Sequence, residues 1–321
     1  MATPDPQPHG DQAASSGLAP RSSTALAAGW MAGWLLLMTA IAVAGREATR
    51  ELSVFQVMLL RSIIGLVVLA PLVHAAGGLR AMRTQRLANH GLRNVVHYAA
   101  QGGWLAALAL IPLAQVVALE FTMPIWTALL AYAFLGERLD ARKIAAIVLG
   151  IVGVVLIVRP AEGAQFSLGH VIALAAAIGF AISVTMVKSL TRTDTATQLM
   201  FWMLVLQSVI GVVPALAHWQ TPVGMQWVWI LVVGVCGTCS HYCMARAMAH
   251  AEATVVVPMD FLRLPLTALA GWALYAERFD LATMIGAALI LSGNAINLSA
   301  PRAAPKAAPK AAPKAARPPQ D

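Results

Sequence analysis

Four ionisable residues interrupt otherwise apolar stretches of the chain: Arg61, Glu120, Asp260 and Arg263. Glu120 lies in VVALEFTMPIW, and Asp260 and Arg263 lie in VVVPMDFLRLP. A guanidinium held away from water can grip a carboxylate, and a carboxylate there can hold an amine or carry a proton. Such charges cost roughly 2.5–3.5 kcal/mol each at the centre of a bilayer, so they are expected to face the interior of a helix bundle and to pair. Two are positive and two negative, which permits complete pairing. Asp260 and Arg263 stand three apart, on one helical face. Arg61 and Glu120 each fall about 9–10 Å below the same surface at a rise of about 1.5 Å per residue, which makes them the other expected pair. These charges are expected to line a substrate or ion path, and the same pairs would also hold helices in register.

Further polar groups gather nearby. Asn94, His97, Tyr98 and Gln101 share one helical face, which should look at a cavity or a protein neighbour and not at lipid. Gln207 and His241 complete the candidate set through the repeat described below. Pro124, Pro258 and Pro265 remove backbone donors beside the two acids, so kinks are expected there. Cys236, Cys239 and Cys243 form one stripe, but His241 points elsewhere, so packing is expected and not a metal site. No phosphate loop, nucleophile elbow or zinc-protease motif is present. The expectation is therefore a protein that is not an enzyme, with no cofactor and no metal.

The elements that must position these groups follow from composition. Of 321 residues, 59% are hydrophobic and only 11% charged, and mean hydropathy is +0.72. A soluble domain carries about 25% charged residues, so this is the composition of a polytopic membrane protein. Ten segments are long and apolar enough to span: 26–45, 54–74, 92–111, 114–135, 143–159, 169–188, 198–217, 226–248, 253–275 and 281–299. The fold class is thus all-α. Residues 1–25 and the Ala/Pro/Lys tail 300–321 are expected to be disordered and cytoplasmic.

Arginine and lysine placement sets the expected orientation. With the N-terminus cytoplasmic, sixteen of 22 Lys and Arg fall inside, Arg93 among them, and four fall outside. Both termini are then cytoplasmic. The net charge of +8 reads as orientation and attraction to lipid headgroups, with no nucleic-acid partner implied.

The chain also repeats itself. GERLD at 136–140 returns as AERFD at 276–280, and at the same spacing Gly153 matches Gly293, Phe121 matches Phe261, Glu120 matches Asp260 and Gln101 matches His241. RSIIGLV from Arg61 returns as QSVIGVV from Gln207. Five spans per copy is an odd number, so the second copy must enter from the opposite face. The result is two inverted five-helix repeats, 26–160 and 161–299.

Ten spans, two halves and a Gly-Glu-Arg after the fourth span resemble the EamA-type transporters of the drug/metabolite transporter superfamily. The resemblance implies a multi-pass carrier of the bacterial inner membrane for a small organic metabolite, such as an amino-acid-like compound or a drug, working by alternating access. Export is the expected direction, uptake of a cofactor such as S-adenosylmethionine or riboflavin is the alternative, and protons are the expected coupling ion. A scaffold or receptor that moves no solute is the rival from another class. Glu137, Arg138, Glu277 and Arg278 lie at helix ends, where packing and capping are the expected roles.

Overall fold

The computed structural model describes residues 23–135, 140–158, 167–278 and 280–298. Among these the fold is all helix: α1 (Thr24–Glu51), α2 (Val54–Ala75), α3 (Leu87–Leu110), α4 (Leu113–Glu120), α5 (Met123–Leu135), α6 (Ala141–Val158), α7 (Leu168–Leu190), α8 (Ala196–Ala217), α9 (Met225–His250), α10 (Ala253–Asp260), α11 (Arg263–Tyr275) and α12 (Leu281–Leu298). Nine helical stretches among the described residues are long and apolar enough to cross a membrane, counting 113–134 and 255–275 as one each. The 24-residue α3 is equally long but carries His90, Arg93, Asn94, His97 and Gln101. The expected termini and most of GERLD, residues 136–139, lie outside the described residues.

Local chemistry starts these helices. Ser53 accepts the Gln56 N–H at 3.2 Å, and Thr195 and Gln198 form a capping box. Asp140 accepts the Lys143 N–H at 2.8 Å and Asp280 the Thr283 N–H at 3.0 Å, so the last residue of each repeated motif starts α6 or α12. At the position of Gly136 in the first motif the second carries Ala276, whose φ of 54° is left-handed. Glu277 accepts the backbone N–H of Leu113, capping α4 as the helix-end reading expected, and also pairs with Arg46.

The two halves are built to one ruler. α4, α5 and α6 begin and end 140 residues before α10, α11 and α12. Packing follows the same exchange: α1 lies along α9 as α3 lies along α7, while α2 pairs with α8 and α6 with α12. At the last contact the helices touch backbone to backbone. A Cβ on Gly153 would strike the Gly286 carbonyl, and one on Gly293 would lie 2.9 Å from the Ala146 carbonyl. Sliding 140 residues converts the first contact into the second.

One end of the bundle, where α2 and α7 end, is tied by Asp194. Its carboxylate meets His90 Nε2 at 2.7 Å and accepts from Thr84 Oγ1 at 2.9 Å. Burial alone would raise this carboxyl, but hydrogen bonds from His90 and Thr84 and the nearby charges of His90 and Arg86 hold it below its ordinary value. A depressed carboxyl contributes stability above its unfolded pKa and loses it as pH falls through the folded value. Asp194→Ala is therefore expected to cost about 2 kcal/mol at neutral pH. Melting curves of both proteins should converge once pH drops below the carboxylate range; a gap independent of pH would contradict the assignment.

Candidate functional site

The two halves meet at two matching helix breaks. α4 stops at Glu120 and α5 starts at Met123; α10 stops at Asp260 and α11 starts at Arg263. Tight i to i+3 bonds close the ends: Thr122 N–H to the Leu119 carbonyl at 3.1 Å, and Leu262 N–H to the Met259 carbonyl at 3.2 Å. The prolines explain where the helices resume. Pro124 and Pro265 sit in the first turns of α5 and α11, where a missing N–H is harmless. At these two of the expected kinks the helix is interrupted and starts afresh. Of the three, Pro258 lies inside a helix, α10. Asn294 of α12 donates to the Phe121 carbonyl at 2.8 Å and satisfies the first break.

Arg263 occupies the space between the breaks and is 3% exposed. Its guanidinium grips Glu120 through Nη2–Oε1 at 2.9 Å and Nη1–Oε2 at 3.2 Å. Its Nε lies 3.5 Å from Asp260 Oδ1, without hydrogen-bond alignment. Each acid also receives an indole N–H: Trp104 donates to Glu120 at 2.9 Å and Trp34 to Asp260 at 2.6 Å. The guanidinium carbon stands 4.8 Å above the Phe121 ring, which meets Phe261 edge-on at 5.6 Å. One cation from the second half is thus shared by matched acids from both halves.

The expected Arg61–Glu120 pair is not formed. α2 packs mainly on α8 and α9, whereas α4 packs on α11 and α7, so equal depth does not bring the two residues together. Arg61 instead lies 3.5 Å from the side-chain oxygen of Gln207, its counterpart in the repeat. The Asp260–Arg263 contact is formed, as the weaker arm of the Arg263 cluster. Arg93, counted among the cytoplasmic charges, is buried in α3, 9% exposed, and donates to Asn94 at 3.1 Å.

The remaining candidates fall around these two centres. His97 meets Ser183 at 3.3 Å and stacks near Phe180. Tyr98 is buried with its hydroxyl against Gly211, and neither that hydroxyl nor Gln101 Oε1 has a hydrogen-bond partner. His241 lies 6.5 Å from the Trp34 ring and lines a pocket of about 10 Å³ with Arg61 and Thr238. Trp126 bonds within its own turn to Thr122, and Tyr242 packs edge-on against Trp30. Cys236, Cys239 and Cys243 are free thiols.

Sequence reasoning missed Trp34, Trp104 and Arg93. Trp104 was legible, since it continues the face of Asn94, His97 and Gln101 by one more step of three. Trp34 carried no such signal. At the other end of the bundle a cleft of about 580 Å³ lies beside Gln115, Glu277 and Thr283.

The family model described as the EamA-like transporter family matches residues 25–159 and 167–299. A riboflavin transporter of Vibrio cholerae is 31% identical over 73% of this chain and 79% of its own. An S-adenosylmethionine uptake transporter of Rickettsia felis is 25% identical over 81% of this chain and 89% of its own. A pseudopaline exporter of Pseudomonas aeruginosa is 24% identical over 77% and 86%. A solved crystal structure superposes with a TM-score of 0.60 at 22% identity, over 86% of this chain and 97% of that one, a likeness of fold alone.

Proposed function

The chain belongs to the EamA-like transporter family, and from that premise we propose a secondary active carrier that moves a small polar organic metabolite across the bacterial inner membrane by alternating access. The single observation that carries the mechanism is Arg263 locked onto Glu120 of the other half, with Asp260 as its second acceptor. In this reading α3 is the tenth span, the halves are inverted repeats, and both termini are cytoplasmic. Support comes from the 140-residue register of α4–α6 with α10–α12 and from the exchange-symmetric packing of α1–α9 with α3–α7.

The chemistry runs through the twin breaks. Neutralising Glu120 by a proton removes the charge that holds Arg263. The guanidinium then falls back on Asp260, three residues away on its own segment. Releasing that tie lets one half rock against the other about the α4–α5 and α10–α11 breaks, which are the natural hinges. Trp104 and Trp34 hold each carboxylate in place and spend an N–H that would otherwise be unpaired. His97, Tyr98, Gln101, Gln207 and His241 line the adjoining path.

Export is the direction we favour. Uptake of a cofactor-like compound is the second reading, and the similarity to the S-adenosylmethionine uptake transporter of Rickettsia felis supports it. Flux into and out of proteoliposomes under an imposed pH gradient tests the carrier, and a protein that moves no solute would support the scaffold reading. Metabolite profiles of a deletion strain separate the directions: accumulation inside means export, and auxotrophy means uptake.

A further inference from the structure

Arg263 holds Glu120 and flanks Asp260, which leaves two buried guanidiniums that meet no acid among the described residues. Arg61 is 7% exposed and Arg93 9% exposed. Among the described residues neither meets a carboxylate; their hydrogen-bond partners are the amide oxygens of Gln207 and Asn94. Two uncompensated charges so deep in a bundle are costly unless something else supplies the counter-charge.

The surrounding atoms point to what supplies it. Arg61 of α2 meets Gln207 of α8 and shares a small pocket with His241 of α9, Tyr98 of α3 lies against Gly211 one turn beyond Gln207, and Arg93 stands one turn before His97 on α3, so these groups gather between α2, α3, α8 and α9. Within it the Arg93 Nε–H, the Tyr98 hydroxyl and the Gln207 amide nitrogen are buried without partners. All three can donate. The one orphaned acceptor nearby in sequence is Gln101 Oε1, on the same face of α3. Donors and fixed positive charge, with no acid among them, are the recognition chemistry of an oxyanion.

We propose that Arg61 and Arg93 receive a carboxylate or phosphate group of the transported substrate, so that the cargo is anionic at that end. The Gln207 amide and the Tyr98 hydroxyl complete the grip. The inference rests on the carrier reading and narrows its substrate class. In the present structure Arg61 borders a pocket of only about 10 Å³, room for about one water, so the group is admitted when the halves part.

The test is thermal unfolding of the purified full-length protein in chloride, acetate and phosphate at equal ionic strength. A bound anion raises Tm by mass action. Acetate or phosphate should raise it by about 3 °C or more over chloride, and the anion that does so says which group the cargo carries. Arg61→Gln and Arg93→Gln should each abolish the shift while melting in chloride no lower than wild type, because each removes an uncompensated charge. Arg61→Lys keeps the charge but not the fork and should keep part of the shift. Equal Tm in all three salts, or a full shift in the glutamine variants, would overturn the proposal; were those variants not to fold, an undiminished shift in Arg61→Lys would do so. An absent shift with intact solute flux defeats this inference alone, and an anion shift without flux defeats the carrier reading.

Discussion

Arg263→Gln is expected to abolish solute flux and to lower stability sharply. The guanidinium is 3% exposed and holds Glu120 through two hydrogen bonds while flanking Asp260. Glutamine leaves two carboxylates close together with no cation and with only the indole donors of Trp104 and Trp34. Breaking a buried pair by removing one member costs about 3–5 kcal/mol, because the survivor stays buried and charged. The double variant Glu120→Gln, Arg263→Gln discriminates stability from mechanism. It removes one stranded charge and should regain much of the lost Tm, but flux should stay absent because nothing ties the halves alternately. Recovery of flux in the double variant would reduce the pair to a structural tie.

Gly153→Ala should be strongly damaging although it adds a single methyl. Alanine normally favours a helix over glycine by about 0.5–1 kcal/mol. Here the new Cβ would collide with the Gly286 carbonyl and Ile290, so α6 and α12 must separate. The expected sign is reversed, with a loss of about 2–3 kcal/mol from a displaced helix pair. Gly286→Ala should behave alike, since its Cβ would meet the Gly153 carbonyl and Ile157. Gly29→Ala is the control: nothing lies within 4 Å of its Cβ position, so it should be neutral or stabilising. Unfolding midpoints of the three variants settle the matter, and equal behaviour of Gly29 and Gly153 would contradict the close crossing.

Much of this was readable before the structure because it is written in one dimension. The 140-residue spacing of GERLD and AERFD fixed the match of Glu120 with Asp260 and of Phe121 with Phe261, and the structure brings both phenylalanines together. Intramembrane charges announced themselves against an apolar background. What stayed hidden depends on which helices are neighbours. Depth along a helix is a sequence quantity, but adjacency is set by packing, so Arg61 and Glu120 share a level and yet belong to different helix pairs. Arg93 was hidden because it stands near a loop, and only the burial of α3 shows that it belongs inside. The prolines marked where the helices are interrupted but not the form of the interruption. A proline two or three residues into a segment is equally consistent with a kink and with a fresh helix start, and the choice needs the capping of the Phe121 carbonyl by Asn294.

We propose that the paired acids at the twin breaks take part in transport. Glu120→Gln and Asp260→Asn test it most directly, in proteoliposomes, as solute flux measured across a range of pH. Each substitution should lower flux by roughly tenfold or more and flatten its pH dependence, with the larger effect at Glu120, the acid that holds Arg263 across the halves. Wild-type flux with wild-type pH dependence in both variants would contradict it.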